Sequence, residues 1–168
     1  MNNKKLTASD IAQIIINEAK KRHVGDLTSL KLQKLLYFAY GWYSVFHEEP
    51  LFDDKFIAYY YGPVIDRINH SLRANGQMPI VDEDNWLETR FKQPSEKVPE
   101  KVQELIDFIA DHYFKYTASE LVRITHKENS PWHKAYNDRK GVYSVISTED
   151  IKEHFDCLYE QTKKGLKK

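Results

Sequence analysis

Hydrophobic residues recur along most of this chain at the three- to four-residue spacing of amphipathic helices. The first such stretch predicts a helix that ends at Lys21 and that either Thr7 or Ser9 caps, because Thr7 and Asp10 have the spacing of a capping box. Its apolar residues form one wide stripe, so we expect one side of this helix to be buried.

The second stretch predicts the longest and most apolar helix, over residues 30–47 with Ser29 as its N-cap. Leucines and aromatic residues cover more than half of its circumference, so we expect a central helix that contacts several neighbours. Gly41 interrupts the pattern, and a glycine inside a helix costs roughly 1 kcal/mol relative to alanine. We therefore expect another backbone to approach closely at Gly41.

A short run rich in β-formers follows at residues 56–61 and predicts a strand. In such a strand, Tyr59 and Tyr61 point to one face. The opposite face carries Phe56, Ala58 and Tyr60. Proline is favoured in the first turn of a helix, so Pro63 predicts the start of a helix over residues 63–74.

The rest of the chain predicts further helices after one irregular stretch. Residues 77–98 should form a surface excursion with a short strand near residues 80–81, and Pro99 opens the next amphipathic helix. Thr117 and either Ser147 or Thr148 mark two later helix starts, and Pro131 begins a turn or a one-turn helix. The predicted fold is mainly α with a small β element: a compact single-domain helical bundle with a short edge sheet or hairpin. Residues 1–168 would form this domain, with an ordered core of about residues 7–160.

The charge balance restricts the partners that can be expected. Lysines and arginines number 25 and so do aspartates and glutamates, so the net charge is zero and long-range attraction to nucleic-acid phosphates is not expected. The one cysteine, Cys157, allows no internal disulfide and fits a reducing compartment. No run of about 18 apolar residues occurs, so neither secretion nor a membrane span is expected, and the predicted location is the cytoplasm.

Patterns that indicate catalysis or metal binding are scarce. The seven histidines are scattered without His-x-x-x-His spacing, and the six glycines form no nucleotide-binding loop. The prediction is therefore no catalytic residue, no metal and no cofactor. His154 and Cys157 lie one helical turn apart and could pair as base and thiolate, although packing and surface exposure explain such a pair more often. An enzyme that uses this pair, His126 or His133 is the third hypothesis.

A DNA-binding transcriptional or phage regulator is the second hypothesis. The first two predicted helices resemble a helix-turn-helix, but the turn between them is too long. The second helix also presents leucines and aromatic residues instead of polar groups suited to base edges. Nucleic acid is therefore not the expected partner.

Aromatic residues are concentrated in two places, the end of the second predicted helix and the predicted strand. Tyrosine and tryptophan are common anchors of protein interfaces. We therefore regard Trp42, Tyr43, Tyr59 and Tyr61 as candidate partner-binding residues. The alternative is that all of them belong to the core.

Several of these segments together resemble the SocA-like (Panacea) antitoxin domain, also known as phage-associated protein. The matching segments are TASDIAQIII (7–16), SLKLQKLLYFAYGWY (29–43), PLFDDKFIAYYYGPV (50–64) and the pair THKENSPW (125–132) with ISTEDIKEHF (146–155). The second and third segments are the specific ones. This chain has Tyr59 where the family often has tryptophan, a change that keeps an aromatic side chain. The residues to which the motif assigns a structural role are Lys31, Leu32, Gln33, Lys34, Leu35, Tyr37, Gly62, Pro63, His126 and Trp132.

The resemblance implies an antitoxin of a bacterial or prophage toxin–antitoxin system. Such a protein neutralises a toxin from an adjacent gene by direct protein contact. A further implied mode is that of an adaptor, which presents the toxin to an AAA+ protease. The first hypothesis is therefore a cytoplasmic binding protein without catalytic machinery, whose oligomeric state stays open.

Overall fold

The computed structural model of the protein describes residues 4–80, 91, 93–94, 97–139 and 141–166. These residues form a mainly helical fold with a small hairpin, which confirms the predicted fold class. The helices are α1 (Ala8–Lys21), α2 (Ser29–His47), α3 (Asp66–Leu72), α4 (Glu100–Tyr113), α5 (Ala118–Thr125), α6 (Pro131–His133) and α7 (Thr148–Leu166). The strands β1 (Ile57–Tyr59) and β2 (Gly62–Val64) pair antiparallel.

Helix α2 is the central helix, as the sequence predicts. It contacts α1, α3, α4, α5 and α7 and also the strand β2. Leu32, Leu35, Leu36 and Ala39 of this helix are completely buried. Burial of each leucine contributes about 1.5–3 kcal/mol, so the contacts of α2 are a large part of the hydrophobic stabilisation of the fold.

Phe155 of α7 packs directly against α2 at Gly41. A Cβ atom added at Gly41 would lie 2.2 Å from Cε2 of the Phe155 ring. The same ring makes edge contacts with the rings of Tyr37 and Trp42, with centroid distances of 5.5 and 5.4 Å. The predicted close approach at Gly41 exists, but an aromatic ring makes it and not a backbone.

Hydroxyl side chains cap the first two helices. At α1, Thr7 Oγ1 accepts a hydrogen bond from the backbone N–H of Asp10 (3.2 Å), and the Asp10 carboxylate accepts one from the backbone N–H of Thr7 (2.7 Å). This confirms the predicted capping box. The predicted cap of α2 is wrong by one residue, because Thr28 and not Ser29 accepts the bond from the backbone N–H of Lys31 (3.1 Å).

Pro63 does not begin a helix. The prediction of a helix over residues 63–74 is wrong in its first turn, since Gly62–Val64 forms β2 and α3 begins only at Asp66. Two side chains of α2 hold this segment extended through hydrogen bonds to the backbone of Pro63 and Ile65. Proline is tolerated in an edge strand because the N–H that it lacks is not needed there.

The strand β1 is shorter than the predicted strand of residues 56–61. Tyr60 and Tyr61 form the turn of the hairpin instead. Tyr60 was expected on the same face as Phe56 and Ala58, but it is exposed while those two residues are buried. The turn interrupts the alternation of faces on which that expectation depended.

A third extended segment pairs with the free edge of β1. Ile57 and Val145 form an antiparallel bridge. The backbone of Ala58 donates to Ser144 O and accepts from Tyr143 N, each at 2.8 Å. The hairpin is therefore held between this segment on one side and α2 on the other.

The predicted excursion of residues 77–98 lies only partly within the described residues. Ile80, at its start, donates a backbone hydrogen bond to Leu27 O (2.6 Å), and Pro79 forms an isolated bridge with Thr28. The rest of the predicted short strand near residues 80–81 falls outside the described residues. Within the described chain, no helix combines the length and the apolar character that a membrane span requires.

Candidate protein-interaction site

Gln33 of α2 binds the backbone just beyond the hairpin at two points. Its Nε2 donates to Ile65 O (3.1 Å), and its Oε1 accepts from Ile65 N (2.9 Å). Both residues are buried, so the side-chain amide takes the place of the strand partner that the Ile65 backbone would otherwise need. Gln33 therefore fixes the chain where the hairpin leads into α3.

Lys34 lies beneath the hairpin, and its side chain is completely buried. Its Nζ donates a hydrogen bond to Pro63 O at 2.9 Å. Burial lowers the pKa of Lys34 to about 7, because one carbonyl replaces only part of the hydration that the charged form loses. The ammonium group can therefore lose its proton near neutral pH.

Gly62 allows the hairpin to approach Lys34 this closely. Its φ is +101°, and an added Cβ would lie 2.6 Å from Thr125 Oγ1 and 2.8 Å from Lys34 Cε. Both the backbone conformation and the space therefore require glycine.

Lys31 connects the start of α2 to the end of α4. Its buried Nζ donates to Asp26 Oδ1 and to Phe114 O, each at 2.7 Å. The charge is paired with a carboxylate, unlike that of Lys34. The motif residues Leu32, Leu35 and Tyr37 belong to the hydrophobic core.

Trp132 of α6 supports β1 from a second direction. Its Nε1 donates to Tyr59 O at 2.7 Å. The indole ring stacks with the imidazole of His126 (3.8 Å between centroids) and with the ring of Tyr136 (4.6 Å). Burial and, to a smaller extent, the charge of Lys34 lower the pKa of His126. The motif residues from α2 and α6 thus converge on the hairpin, and His126 packs against Trp132 behind it.

The hairpin and the segment beside it present exposed aromatic and aliphatic side chains. The exposed fractions are 61% for Tyr60, 67% for Tyr61, 60% for Tyr143 and 57% for Val145. Tyr59 is half-buried next to them, with its ring 5.0 Å from that of Tyr143. We call these five residues the tyrosine surface. Groups of exposed apolar side chains are typical of sites that bind other proteins.

Tyr59 is fixed in place at the edge of the tyrosine surface. Its hydroxyl donates a hydrogen bond to Asp66 Oδ1 at 2.5 Å. Partial burial and this carboxylate raise the pKa of Tyr59 to about 12, so the hydroxyl keeps its proton at neutral pH. The ring is therefore held in one orientation before any partner binds.

Trp42 and Tyr43 lie in the protein interior. Their exposed fractions are 7% and 4%. Trp42 Nε1 donates to Tyr113 OH (2.7 Å), and Tyr43 OH donates to Glu49 Oε1 (2.8 Å). Of the four aromatic residues that the sequence suggested for partner binding, only Tyr61 and part of Tyr59 are therefore accessible.

Sequence reasoning missed Tyr60, Tyr143 and Val145. The available signal for the last two was their alternate spacing before the final helix, which is the period of a strand. Two backbone irregularities lie nearby: Tyr143 has a φ of +69°, and Lys134–Arg139 forms a π-helix. Both kinds of irregularity are frequent at functional sites.

The described residues offer little for catalysis or metal binding. Within them, no group of three or more His, Cys, Asp or Glu residues is placed to hold a metal ion. Cys157 is exposed, and its Sγ accepts a weak hydrogen bond from Gln161 Nε2 at 3.6 Å. Burial, together with the charges of Lys134 and Lys127, lowers the pKa of His154. None of these contacts links the imidazole of His154 to the thiol of Cys157.

Comparison with known proteins identifies the family. Residues 32–133 match the family described as antitoxin SocA-like, Panacea domain, which is more than half of the chain. The chain belongs to this family. The matched region begins within the motif of α2 and ends directly after Trp132, so it contains the hairpin of this SocA-like domain and its contacts with Gln33, Lys34 and Trp132. The paired segment around Tyr143 and Val145 lies beyond it.

A curated relative extends the similarity beyond that region. Antitoxin SocA of Caulobacter vibrioides (strain NA1000 / CB15N) is 27% identical over 154 residues, which is 88% of this chain and 81% of that protein. No solved structure matches the chain.

Proposed function

We propose that this SocA-like protein is an antitoxin that neutralises a partner toxin in the cytoplasm by direct contact through the tyrosine surface. Its membership of an antitoxin family supports the general role. One observation carries the proposal: buried motif residues hold the hairpin at several points, while its turn leaves tyrosines exposed. A binding surface that is already ordered loses less conformational entropy when a partner covers it.

The chemistry of the tyrosine surface supports a protein partner. Tyrosine has a large apolar ring, few rotatable bonds and a hydroxyl that can donate and accept hydrogen bonds, and it is enriched at binding hot spots. The ring of Tyr60 lies edge-on to that of Tyr136, with 6.0 Å between their centroids. A toxin surface with an apolar centre would complement such a group.

Co-expression tests the proposal. Each small open reading frame next to this gene is induced alone and together with the chain, and we expect one that stops growth alone, is tolerated with the chain and copurifies with it. Replacing Tyr60 and Tyr61 by serine should abolish the rescue. The control is Met78→Ser, which removes an equally exposed apolar side chain outside the tyrosine surface. The proposal fails if no neighbour is toxic, or if a toxic one is neither bound nor rescued.

Two modes of neutralisation predict different outcomes in cells without the relevant AAA+ protease. If the antitoxin blocks the working site of the toxin, rescue persists and the toxin remains bound and abundant. If the antitoxin is an adaptor for proteolysis, rescue is lost although the two proteins still copurify. We propose the first mode, because the tyrosine surface alone supplies a contact and needs no further component.

A further inference from the structure

The extended segment that pairs with β1 forms an open edge of the small sheet. The opposite edge, along β2, is covered by side chains of α2, which bind the backbone of Pro63 and Ile65. Val145 lies in the middle of the open edge, and 57% of it is exposed. Within the described chain, this edge is therefore the side on which the sheet can be extended.

The backbone N–H and C=O of Val145 point away from the sheet. Ala58 N donates to Ser144 O at 2.8 Å, and Ile146 N donates to Phe56 O at 2.8 Å. In an antiparallel ladder, a residue that lies between two such bonds has its own polar groups on the opposite edge. Among the described residues, no group forms a hydrogen bond with the N–H or the C=O of Val145. An unpaired donor and acceptor on an exposed edge are a template for a further strand.

A β-bulge ends this edge at Tyr143. Tyr143 N donates to Ala58 O and Ala58 N donates to Ser144 O, so two residues lie opposite one. Tyr143 has a φ of +69°, the left-handed conformation that glycine usually adopts at the first position of such a bulge. A bulky residue is uncommon in this conformation, and bulges often direct a side chain towards a functional site. Here the ring of Tyr143 lies against that of Tyr59, 5.0 Å away.

The side chains next to the open edge are apolar. Ile57 and Val145 are paired, so their side chains lie on the same face of the sheet, opposite to the buried Phe56 and Ala58. An added strand would place every second side chain on that exposed face, next to Val145. Proteins commonly protect an open edge with lysine or proline, whereas this edge has valine. It therefore fits an extended segment with an apolar side chain opposite Val145.

The small size of the edge favours a partner that is already held nearby. A stable protein interface typically has about ten hydrogen bonds and buries about 1,200 Å² or more. Pairing of two copies of the chain at Val145 would form only one pair of hydrogen bonds, which is too little for a dimer. A toxin on the tyrosine surface can make this contact in addition, because Tyr143 and Val145 belong to that surface.

We propose that the partner toxin adds an extended segment to this edge as a further strand of the sheet. The inference rests on the proposed function, because it assumes that a toxin covers the tyrosine surface. The segment accepts a hydrogen bond from Val145 N, donates one to Val145 O and packs an apolar side chain against Val145. In strand addition of this kind, main-chain bonds contribute affinity and the alternating side chains contribute specificity.

Amide hydrogen exchange tests the backbone bond directly. The isotope-labelled chain is combined with the toxin that it neutralises, and the exchange of single N–H groups is followed by NMR. Val145 N–H should exchange about 100-fold or more slowly in the complex than in the free chain, because it gains a hydrogen bond. Ile146 N–H, which already binds Phe56 O, is the control and should be protected in both states. Unchanged exchange at Val145 in a complex that forms would overturn the proposal.

Two variants separate the backbone bond from the side-chain contact. Val145→Pro and Val145→Ala both lack the valine side chain, but only proline also lacks the N–H. Proline is tolerated at a sheet edge where the N–H faces solvent, so both variants should fold. Val145→Pro should bind the toxin about ten-fold or more weakly than Val145→Ala. If circular dichroism shows that Val145→Pro does not fold, the exchange of Val145 N–H in wild type decides.

The outcomes distinguish this inference from the proposed function. If the toxin is neutralised but binds Val145→Pro as tightly as Val145→Ala, the added strand is wrong and the antitoxin role stands. If no toxin is neutralised, the antitoxin role fails and the added strand with it. Sedimentation of the chain alone should show a monomer. A dimer that Val145→Pro converts into monomers would mean that a second copy occupies the edge, which also contradicts the proposal.

Discussion

The ammonium group of Lys34 donates a hydrogen bond to the carbonyl of Pro63, 2.9 Å away, directly beneath the hairpin. A buried charge with a neutral acceptor is costly, since the lost hydration is only partly replaced. This bond joins the central helix to the strand that follows the exposed Tyr61. Through this bond the motif residue Lys34 holds the hairpin that carries part of the tyrosine surface.

The buried Lys34 predicts how stability depends on pH. Its pKa is about 7 in the folded protein, below the ordinary 10.5 that applies to the unfolded chain. Between these pH values the unfolded chain binds more protons than the folded one, so the free energy of unfolding should rise with pH, by at most about 1.4 kcal/mol per unit. Below about pH 7 this contribution should be constant. Urea unfolding between about pH 6 and 9.5 measures it.

Lys34→Met is the comparator for this pH dependence. The variant lacks the titrating group and should lose the rise that wild type shows above about pH 7. If the unfolding free energies of the two proteins run parallel across the range, Lys34 is not the cause of the rise.

Gln33→Met should destabilise the protein by about 2 kcal/mol or more. Methionine has a similar shape but leaves the N–H and the carbonyl of Ile65 without their partner in a buried place, and each such loss costs about 1–3 kcal/mol. The control is Gln103→Met on α4, where the lost bond is a half-buried one to Asp107 and a change under about 0.5 kcal/mol is expected. Equal urea midpoints for the two variants would argue against the role of Gln33.

Gly62→Ala tests whether steric contact adds to backbone strain in the loss of stability when this glycine is replaced. Gly76 also has a positive φ (+56°), but nothing lies within 4 Å of an added Cβ there. Gly76→Ala should therefore cost only the backbone strain of about 1–3 kcal/mol, whereas Gly62→Ala adds the contact with Lys34 and Thr125 to a similar strain and should cost clearly more. Thermal unfolding of both variants gives the comparison. A larger loss at Gly76 would contradict the close approach at Gly62.

Gly41→Ala should be destabilising because of Phe155. The added methyl group would overlap the ring, and overpacking of a core typically costs about 1–3 kcal/mol. Phe155→Leu creates space and should by itself also destabilise the protein, by loss of packing. In the double variant the two losses should be less than additive, as measured by a double-mutant cycle in urea. Full additivity would mean that the two residues do not interact.

The sequence predicted the helices well because their signals are local. The capping box at Thr7 and the apolar pattern of α2 act within a few residues, and both predictions are confirmed. Pro63 shows the limit of such reasoning. Its local preference for a helix start is overruled by hydrogen bonds from Gln33 and Lys34, about 30 residues earlier in the chain.

The candidate site was predicted only in part, because the contacts that form it also join residues far apart in the sequence. Tyr59 stood out because it belongs to an aromatic run, but Tyr143 becomes its neighbour, with 5.0 Å between the ring centroids, only through backbone pairing with Ala58. Trp42 belongs to the same aromatic concentration in the sequence, yet it faces α4 and α7 in the interior. A single sequence contains no local signal that distinguishes an aromatic residue at the surface from one in the interior.

The most direct test of the tyrosine surface is the Kd of the antitoxin–toxin complex measured by calorimetry. The variant with both Tyr60→Ser and Tyr61→Ser should retain the far-UV circular dichroism and urea midpoint of wild type, because both side chains lie outside the core. Its affinity for the toxin should fall by about 30-fold or more, the loss expected for a hot spot of at least 2 kcal/mol, while Met78→Ser should bind as wild type does. Wild-type affinity in the folded double variant would contradict the claim that the hairpin is the surface that binds the toxin.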